Sequence, residues 1–195
     1  MTEPASSDSA EAFEEASSET ARVASATSAQ VAAVVRRGRR EDVPALLDIY
    51  NHEVENGVAT LDLEPRTLEQ WTAWFNSHQN DLHPLFVAEL DGHPVGYTTL
   101  SPYRPKDAYR STAELSVYVS PEARGRGLAN ALLDALIGHA RASEEIHLIV
   151  SVITGNNAAS MALHERYGFK KCGAVHEAGF KMGCYHDIVF YELIV

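Results

Sequence analysis

Val117-Tyr118-Val119-Ser120-Pro121-Glu122-Ala123-Arg124-Gly125-Arg126-Gly127-Leu128-Ala129-Asn130 runs from a strand through a proline-broken turn into a Gly/Arg loop that opens a helix. That order builds an anion site. A helix start leaves backbone N–H groups unpaired at the positive end of its dipole, Gly125 and Gly127 let the backbone approach closely, and Arg124 and Arg126 add full charges. Pyrophosphate suits such a loop. Two familiar phosphate loops do not match: a Rossmann G-x-G-x-x-G would need glycine where Asn130 stands, and the G-K-[ST] of a Walker loop is absent. A Gly-rich loop taken alone is equally a solvated turn before a helix, so its flanks must decide.

Working outward, residues 112–119 alternate as a strand leading into the loop, and residues 129–140 carry helical spacing at Leu132, Leu133, Leu136 and Ile137. Residues 146–153 are a nearly continuous apolar run, the pattern of a central strand, followed by a predicted helix over residues 158–167. Residues 169–175 and 188–195 predict two closing strands. Upstream, Leu85-Phe86-Val87-Ala88-Glu89-Leu90, the turn Asp91-Gly92 and Val95-Gly96-Tyr97-Thr98-Thr99-Leu100 predict a hairpin. Thr67-Leu68-Glu69-Gln70 has capping-box spacing ahead of Trp71, Trp74 and Phe75, which read as core or pocket wall. Glu41-Asp42-Val43-Pro44 starts an earlier helix, and Ala33-Val34-Val35 predicts a short first strand. Strands outnumber helices without regular βαβ alternation, so the fold class is α/β with a mixed, mostly antiparallel sheet flanked by helices.

The 195 residues are 45% apolar and 22% charged, a balance that supports a real core. Sixteen Lys and Arg against 27 Asp and Glu give a formal charge of −11, so no nucleic-acid partner is expected. No apolar run reaches the roughly 18 residues of a membrane helix, and the first residues lack the basic flank and apolar run of a signal peptide, so a cytoplasmic protein with no membrane partner is expected. Cys172 and Cys184 are the only cysteines, consistent with a reducing compartment. Residues 1–33 hold six acidic residues, Arg22 and one aromatic, Phe13, in a background of Ala, Ser and Thr. They have too little to bury, and are expected to form a disordered or fraying helical tail ahead of a domain over residues 34–195.

Arg124, Gly127 and Ala129 form an R-x-x-G-x-A pattern, and Asn157-Ala158-Ala159-Ser160-Met161-Ala162-Leu163-His164-Glu165-Arg166-Tyr167-Gly168-Phe169 places an Asn before a helix that ends in Gly-Phe. Together these resemble the acyl-CoA loop and the second signature of the GNAT superfamily of N-acetyltransferases, over residues 34–195. Three strings resemble, more closely, its phosphinothricin and methionine-sulfoximine N-acetyltransferase group. They are Tyr103-Arg104-Pro105-Lys106 through Tyr109-Arg110-Ser111-Thr112-Ala113-Glu114; Ser116-Val117-Tyr118-Val119; and Gly179-Phe180-Lys181-Met182-Gly183 with His186-Asp187. The chain departs from that group at Leu61, where an aromatic is usual, and at Tyr185, where a Trp is usual; both positions are expected to shape the acceptor pocket.

The resemblance implies the GNAT acyl-CoA N-acyltransferase fold, acetyl-CoA as co-substrate, a small-molecule amine as acceptor and a homodimer. It implies that Arg124, Gly125, Arg126, Gly127, Leu128 and Ala129 hold the pyrophosphate, that Asn157 and Ser160 make further CoA contacts, and that Arg104 anchors the acceptor beside Tyr109 and Arg110. Acetyl transfer needs a neutral amine, a polarised carbonyl and a proton for the leaving thiolate. Glu114, on the strand feeding the loop and amid Leu115, Val117 and Val119, is the candidate base, because a partly buried carboxylate has a raised pKa. It is also where the resemblance puts the family's carboxylate; the other reading is a solvent-facing strand glutamate. Val117, Tyr118 and Val119 would pair backbone groups with pantetheine, with the Val119 N–H as an oxyanion contact. His164 stands where the wider superfamily often has a proton-donating Tyr and the narrower group a His, so it is an acid, part of a relay, or simply packed at a helix face. Lys181 reaches either the acceptor or a neighbouring subunit.

Cys172, His176, Cys184 and His186 do not have zinc-site spacing, and no metal is expected. The expected reaction is acetyl transfer to the α-amino group of a small amino-acid analogue such as phosphinothricin, methionine sulfoximine or methionine sulfone. The alternatives are the same chemistry on a polyamine, an aminoglycoside or a protein N-terminus, and a non-catalytic acyl-CoA-binding module.

Overall fold

The computed structural model describes residues 33–195, so the tail expected over residues 1–33 lies, but for Ala33, outside the described residues. The elements are β1 (Val34–Arg37), α1 (Val43–Asn56), α2 (Leu68–Ser77), β2 (Leu85–Leu90), β3 (His93–Pro102), β4 (Thr112–Val119), α3 (Leu128–Ala142), β5 (Leu148–Thr154), α4 (Ala158–Arg166), β6 (Lys170–Lys181) and β7 (Cys184–Ile194). Local chemistry explains several boundaries. Pro44 sits in the first turn of α1, where its missing N–H is not needed. Thr67 Oγ1 accepts from Gln70 N at 3.2 Å while Gln70 Oε1 accepts from Thr67 N at 2.9 Å, which closes the expected capping box of α2. Asp91 and Gly92, both at positive φ, make the tight turn of the β2–β3 hairpin.

The strands form one sheet in the order β1-β2-β3-β4-β5-β7-β6. Only β4 and β5 pair in parallel; the other neighbours are antiparallel. Tyr97 and Leu100 stand an odd number of positions apart on β3 and so face opposite sides. Tyr97 packs with Leu46, Ile49, Trp71 and Phe75 of α1 and α2. Leu100 joins Leu115, Ile149 and the α3 residues Leu133, Leu136 and Ile137 on the other side. Leu132, Leu133 and Leu136 are fully buried, and cutting any one to Ala would cost about 2–5 kcal/mol.

The closing strands differ from expectation. Residues 169–175 and 188–195 prove to be the outer parts of one long hairpin, turned at Met182 (φ 50) and Gly183 (φ 80). Bulges between Lys171 and Gly173 and between Val175 and Gly179 break the alternation, and nearly all of β6 faces solvent, so no two-residue hydrophobic period marks it.

One irregularity positions the site. β4 and β5 pair only through Thr112 with Leu148, Ala113 with Ile149 and Glu114 with Val150. Both strands continue beyond, to Val119 and Thr154, and splay apart in the middle of the sheet.

Candidate active site

β4 is the spine of the site. Its register with β3 sets Glu114 opposite Ser101, Ser116 opposite Thr99 and Tyr118 opposite Tyr97. These six side chains floor a cavity of about 400 Å3, roofed by Tyr50, Thr60 and Arg66 from α1 and the loop after it and by Gln70, Trp71 and Trp74 from α2. On the splayed side of β4, a cleft of about 50 Å3 is bordered by Val117, Tyr118, Ser151, Asn157, Ser160 and His164. It shares Val117, Tyr118, Asn157 and Ser160 with a groove of about 700 Å3 that reaches Arg124 and Ala129. Tyr118 borders all three spaces.

The loop before α3 presents an open backbone face. Gly125 (φ 76) and Gly127 (φ 79) are left-handed, and a Cβ on either would meet nothing within 4 Å, so this backbone face is open. The first helical bond of α3 is Ala131 N to Gly127 O at 3.2 Å, which leaves the amides of Leu128, Ala129 and Asn130 ahead of the ladder. The Leu128 side chain is core, so only its amide can take part. Arg126 is exposed. Arg124, exposed as well, is held by partners: its Nη2 pairs with the Glu53 carboxylate, and its Nε donates to Val119 O at 3.2 Å. Glu53 was not among the residues expected from sequence. Its only signal is an acid on the buried stripe of α1 that holds Leu46 and Ile49.

Ser120 N donates to Val95 O of β3 at 2.8 Å, whereas Val119 O turns to Arg124. Strand alternation therefore points the peptide groups of Val117 and Val119 to the splayed side, where an extended chain carrying amides can add. Asn157 Oδ1 caps α4 by accepting from Ser160 N at 3.1 Å. These residues fit acetyl-CoA: open glycines and free amides for a pyrophosphate, then an unpaired strand edge for the arm.

Glu114 and His164 lie on opposite sides of β4. Burial raises the Glu114 carboxyl above its ordinary range, and the positive charge of Arg104 offsets part of that. His164 is 2% exposed, packed edge-on against Phe169. Its Nδ1 donates to Ser160 O at 2.7 Å, so the neutral ring carries its lone pair on Nε2, which is buried and unpartnered. Burial lowers its pKa, opposed by the bond to Ser160. In that state the ring accepts a proton; it has none to give at Nε2.

None of the expected acceptor residues lines the Glu114 cavity. Arg104, Tyr109 and Arg110 border a separate surface cavity of about 340 Å3 with Lys106 and Asp107. The Arg104 guanidinium lies over the Tyr103 ring at 4.9 Å, and Arg110 pairs with Glu145. Lys181 is buried and donates to Glu53 O at 3.1 Å and Thr60 O at 2.8 Å, so it straps the β6–β7 hairpin to the loop after α1. Neither Leu61, tucked against Gly179, nor Tyr185, 64% exposed, lines the Glu114 cavity. Trp71 and Trp74 are pocket wall, while Phe75 is core. Near the C-terminus, His176 pairs with Asp187 and His186 Nε2 with Lys181 O. Among the described residues, no three His, Cys, Asp or Glu side chains cluster as metal ligands, and no helix is long and apolar enough to cross a membrane.

Comparison with known proteins agrees with this geometry. The chain is 41% identical over 161 residues to a phosphinothricin N-acetyltransferase of Streptomyces coelicolor, covering 81% of this chain and 94% of that one. It is 38% identical over 164 residues to an L-methionine sulfoximine/L-methionine sulfone acetyltransferase of Pseudomonas aeruginosa, covering 84% and 95%. The fold is similar, with a TM-score of 0.79 and 33% identity over 84% of this chain and 88% of the other, to a GNAT superfamily phosphinothricin acetyltransferase from Sinorhizobium meliloti in complex with AcCoA. The acetyltransferase (GNAT) family model matches residues 44–169, and the chain belongs to that family of acetyltransferases.

Proposed function

We propose that this acetyltransferase moves the acetyl group of acetyl-CoA to the α-amino group of a small amino-acid analogue of the phosphinothricin, methionine-sulfoximine or methionine-sulfone type. The observation that carries this reading is the single strand β4, which presents Glu114 to a cavity of about 400 Å3 on one side and its open edge at Val117 and Val119 to the anion loop's groove on the other. Acetyl-CoA, when bound, supplies the acyl group as a thioester. The Gly127, Leu128 and Ala129 backbone holds its pyrophosphate with Gly125 and Arg126, and Val117, Tyr118, Asn157 and Ser160 border the path of its arm. Glu114 takes the ammonium proton, directly or through water, since its raised pKa brings it closer to the acid it must deprotonate. The Val119 N–H faces the splayed side, where it can polarise the acyl oxygen. The nitrogen's second proton, released as the amide forms and the C–S bond breaks, goes to the leaving thiolate, with the His164 Nε2 lone pair as the candidate relay for it.

Arg104, close enough for its charge to act on Glu114, is the guanidinium proposed for an acceptor carboxylate, whereas Arg66 in the roof is already paired with Asp62. The names of the relatives support this acceptor class over polyamines and aminoglycosides. The domain spans residues 34–195, works in the cytoplasm without a metal, and forms a homodimer. The last is supported by the exposed apolar Val175, Phe180, Met182 and Tyr185 on the β6–β7 hairpin, and a monomer in sedimentation equilibrium would reject it.

The test is thiol release from acetyl-CoA with phosphinothricin, methionine sulfoximine, methionine sulfone, spermidine, an aminoglycoside and a short peptide. Turnover confined to the first three is the expected result. Turnover on a cationic amine alone would overturn the acceptor class, and CoA binding with no turnover on any would return the chain to a binding module.

A further inference from the structure

The groove of about 700 Å3 has α4 as one wall, and the sequence of that helix grades the wall from apolar to charged. Ala159, Ala162, Leu163 and Arg166 recur at three- and four-residue spacing, so they share one face of α4, and all four border the groove. Two alanines and Leu163 give a smooth apolar surface. Arg166 ends it with a charge, roughly 10 Å beyond Ala159 at the helical rise. The Arg166 side chain is exposed, and its Nη1 donates to Asn130 Oδ1 at 3.2 Å. That bond holds the guanidinium beside the first turn of α3, whose leading amides end at Asn130.

The cations around the groove are not equivalent. Arg124 is answered by the Glu53 carboxylate, and Arg126 does not border the groove. Among the described residues Arg166 forms no ion pair, because the nearby acids are engaged elsewhere: Glu165 Oε1 accepts from Tyr191 Oη at 3.0 Å, and Asp134 Oδ1 from Tyr167 Oη at 2.8 Å. Asn130 therefore orients Arg166 without cancelling its charge. Coenzyme A carries two anionic groups, the pyrophosphate that joins its arm to adenosine and a phosphomonoester on the 3′-oxygen of the ribose. The loop glycines and amides suit the pyrophosphate. The next anion is the monoester, one ribose further on, and the next cation is Arg166, one Asn130 side chain further on. Two oxygens of a phosphomonoester match the planar fork of a guanidinium.

We infer that Arg166 recognises the ribose 3′-phosphate of acetyl-CoA, so that this chain distinguishes CoA from dephospho-CoA. This rests on the CoA path proposed above. The test is calorimetric binding of CoA and of dephospho-CoA, which differ only in that phosphate, to wild type, Arg166→Gln and Arg126→Gln, with melting curves on each protein. Wild type is expected to bind CoA about tenfold more tightly than dephospho-CoA, the effect of one charge-assisted pair. Arg166→Gln should bring the two affinities within about twofold of each other by weakening CoA alone. Arg126→Gln, beside the pyrophosphate, should weaken both ligands and keep their ratio. Equal wild-type affinities, an Arg166→Gln protein that is folded and weakened alike for both ligands or for neither, or a ratio moved by Arg126→Gln instead would overturn the assignment and leave acetyl-CoA dependence standing. Wild-type protein that binds neither ligand would overturn the CoA path and the role of Arg166 with it.

Discussion

Glu114 occupies the last paired position between β4 and β5, half-buried and next to the splay. Replacing it by Gln keeps shape and removes the proposed base. Turnover should fall by about 10²–10⁴-fold, with calorimetric CoA binding nearly unchanged. The pH profile carries a sign as well. The base form is the deprotonated one and burial raises the pKa, so the acid limb of kcat/KM should lie above the ordinary carboxylate value of 4.5 and vanish in Glu114→Gln. Glu53 makes the opposite kind of prediction. Its carboxylate neutralises Arg124 beside the anion loop, so Glu53→Gln should tighten CoA binding about two- to fivefold. Weaker binding by calorimetry would mean that Glu53 instead holds Arg124 in its working pose.

Among the elements, α2 shows how a local signal serves a distant site. Its capping box satisfies backbone groups at the first turn, and the same helix roofs the Glu114 cavity with Gln70, Trp71 and Trp74. Thr67→Ala should cost about 1 kcal/mol of stability by chemical denaturation and raise the acceptor KM, because the first turn that carries Trp71 would fray. An unchanged midpoint would show that the tertiary contacts of Trp71 and Phe75 hold the turn without its cap. The β6–β7 hairpin serves the site through Lys181, whose buried ammonium grips the carbonyls of Glu53 and Thr60. Burial lowers its pKa, and the nearby carboxylates Glu53 and Asp62 oppose that shift.

At the scale of the whole molecule, Arg36 ties the sheet edge to the start of α1. It donates to Asp42 Oδ2 at 2.7 Å and Oδ1 at 2.8 Å and to Glu89 Oε1 at 2.9 Å, joining β1, the turn before α1 and β2. Burial alone would raise the Asp42 pKa, but the bonds from Arg36 and from Arg39 N at 2.7 Å hold it below 3.8. The depressed value sets the sign: this contribution is present above 3.8 and is lost as pH falls through the folded-state pKa. Asp42→Asn should therefore cost about 2–3 kcal/mol at neutral pH by denaturant unfolding, with the gap from wild type closing in strong acid. A constant gap down to the lowest pH would remove the ion pair as its cause.

The strand, turn and cap signals in the sequence, and its Gly/Arg loop, determined the fold class, the order of elements and the open loop before α3, because each depends on residues within a few positions of one another. Glu114 was legible for the same reason, since it lies on the strand that feeds the loop. The full length of the β6–β7 hairpin was not, because bulges and solvent on both faces of β6 erase that strand's period. Only the tertiary structure decided which side chains converge. Arg124 meets a carboxylate 71 residues away, Lys181 meets a carbonyl 128 residues away, and the Glu114 cavity draws its walls from α1, α2, β3 and β4. Sequence spacing sets the direction of a side chain within its own element, but its partner is chosen by how distant elements pack. That packing turned Lys181 inward, left Arg110 on the surface, and set Trp71 and Tyr97 against the space that Glu114 serves.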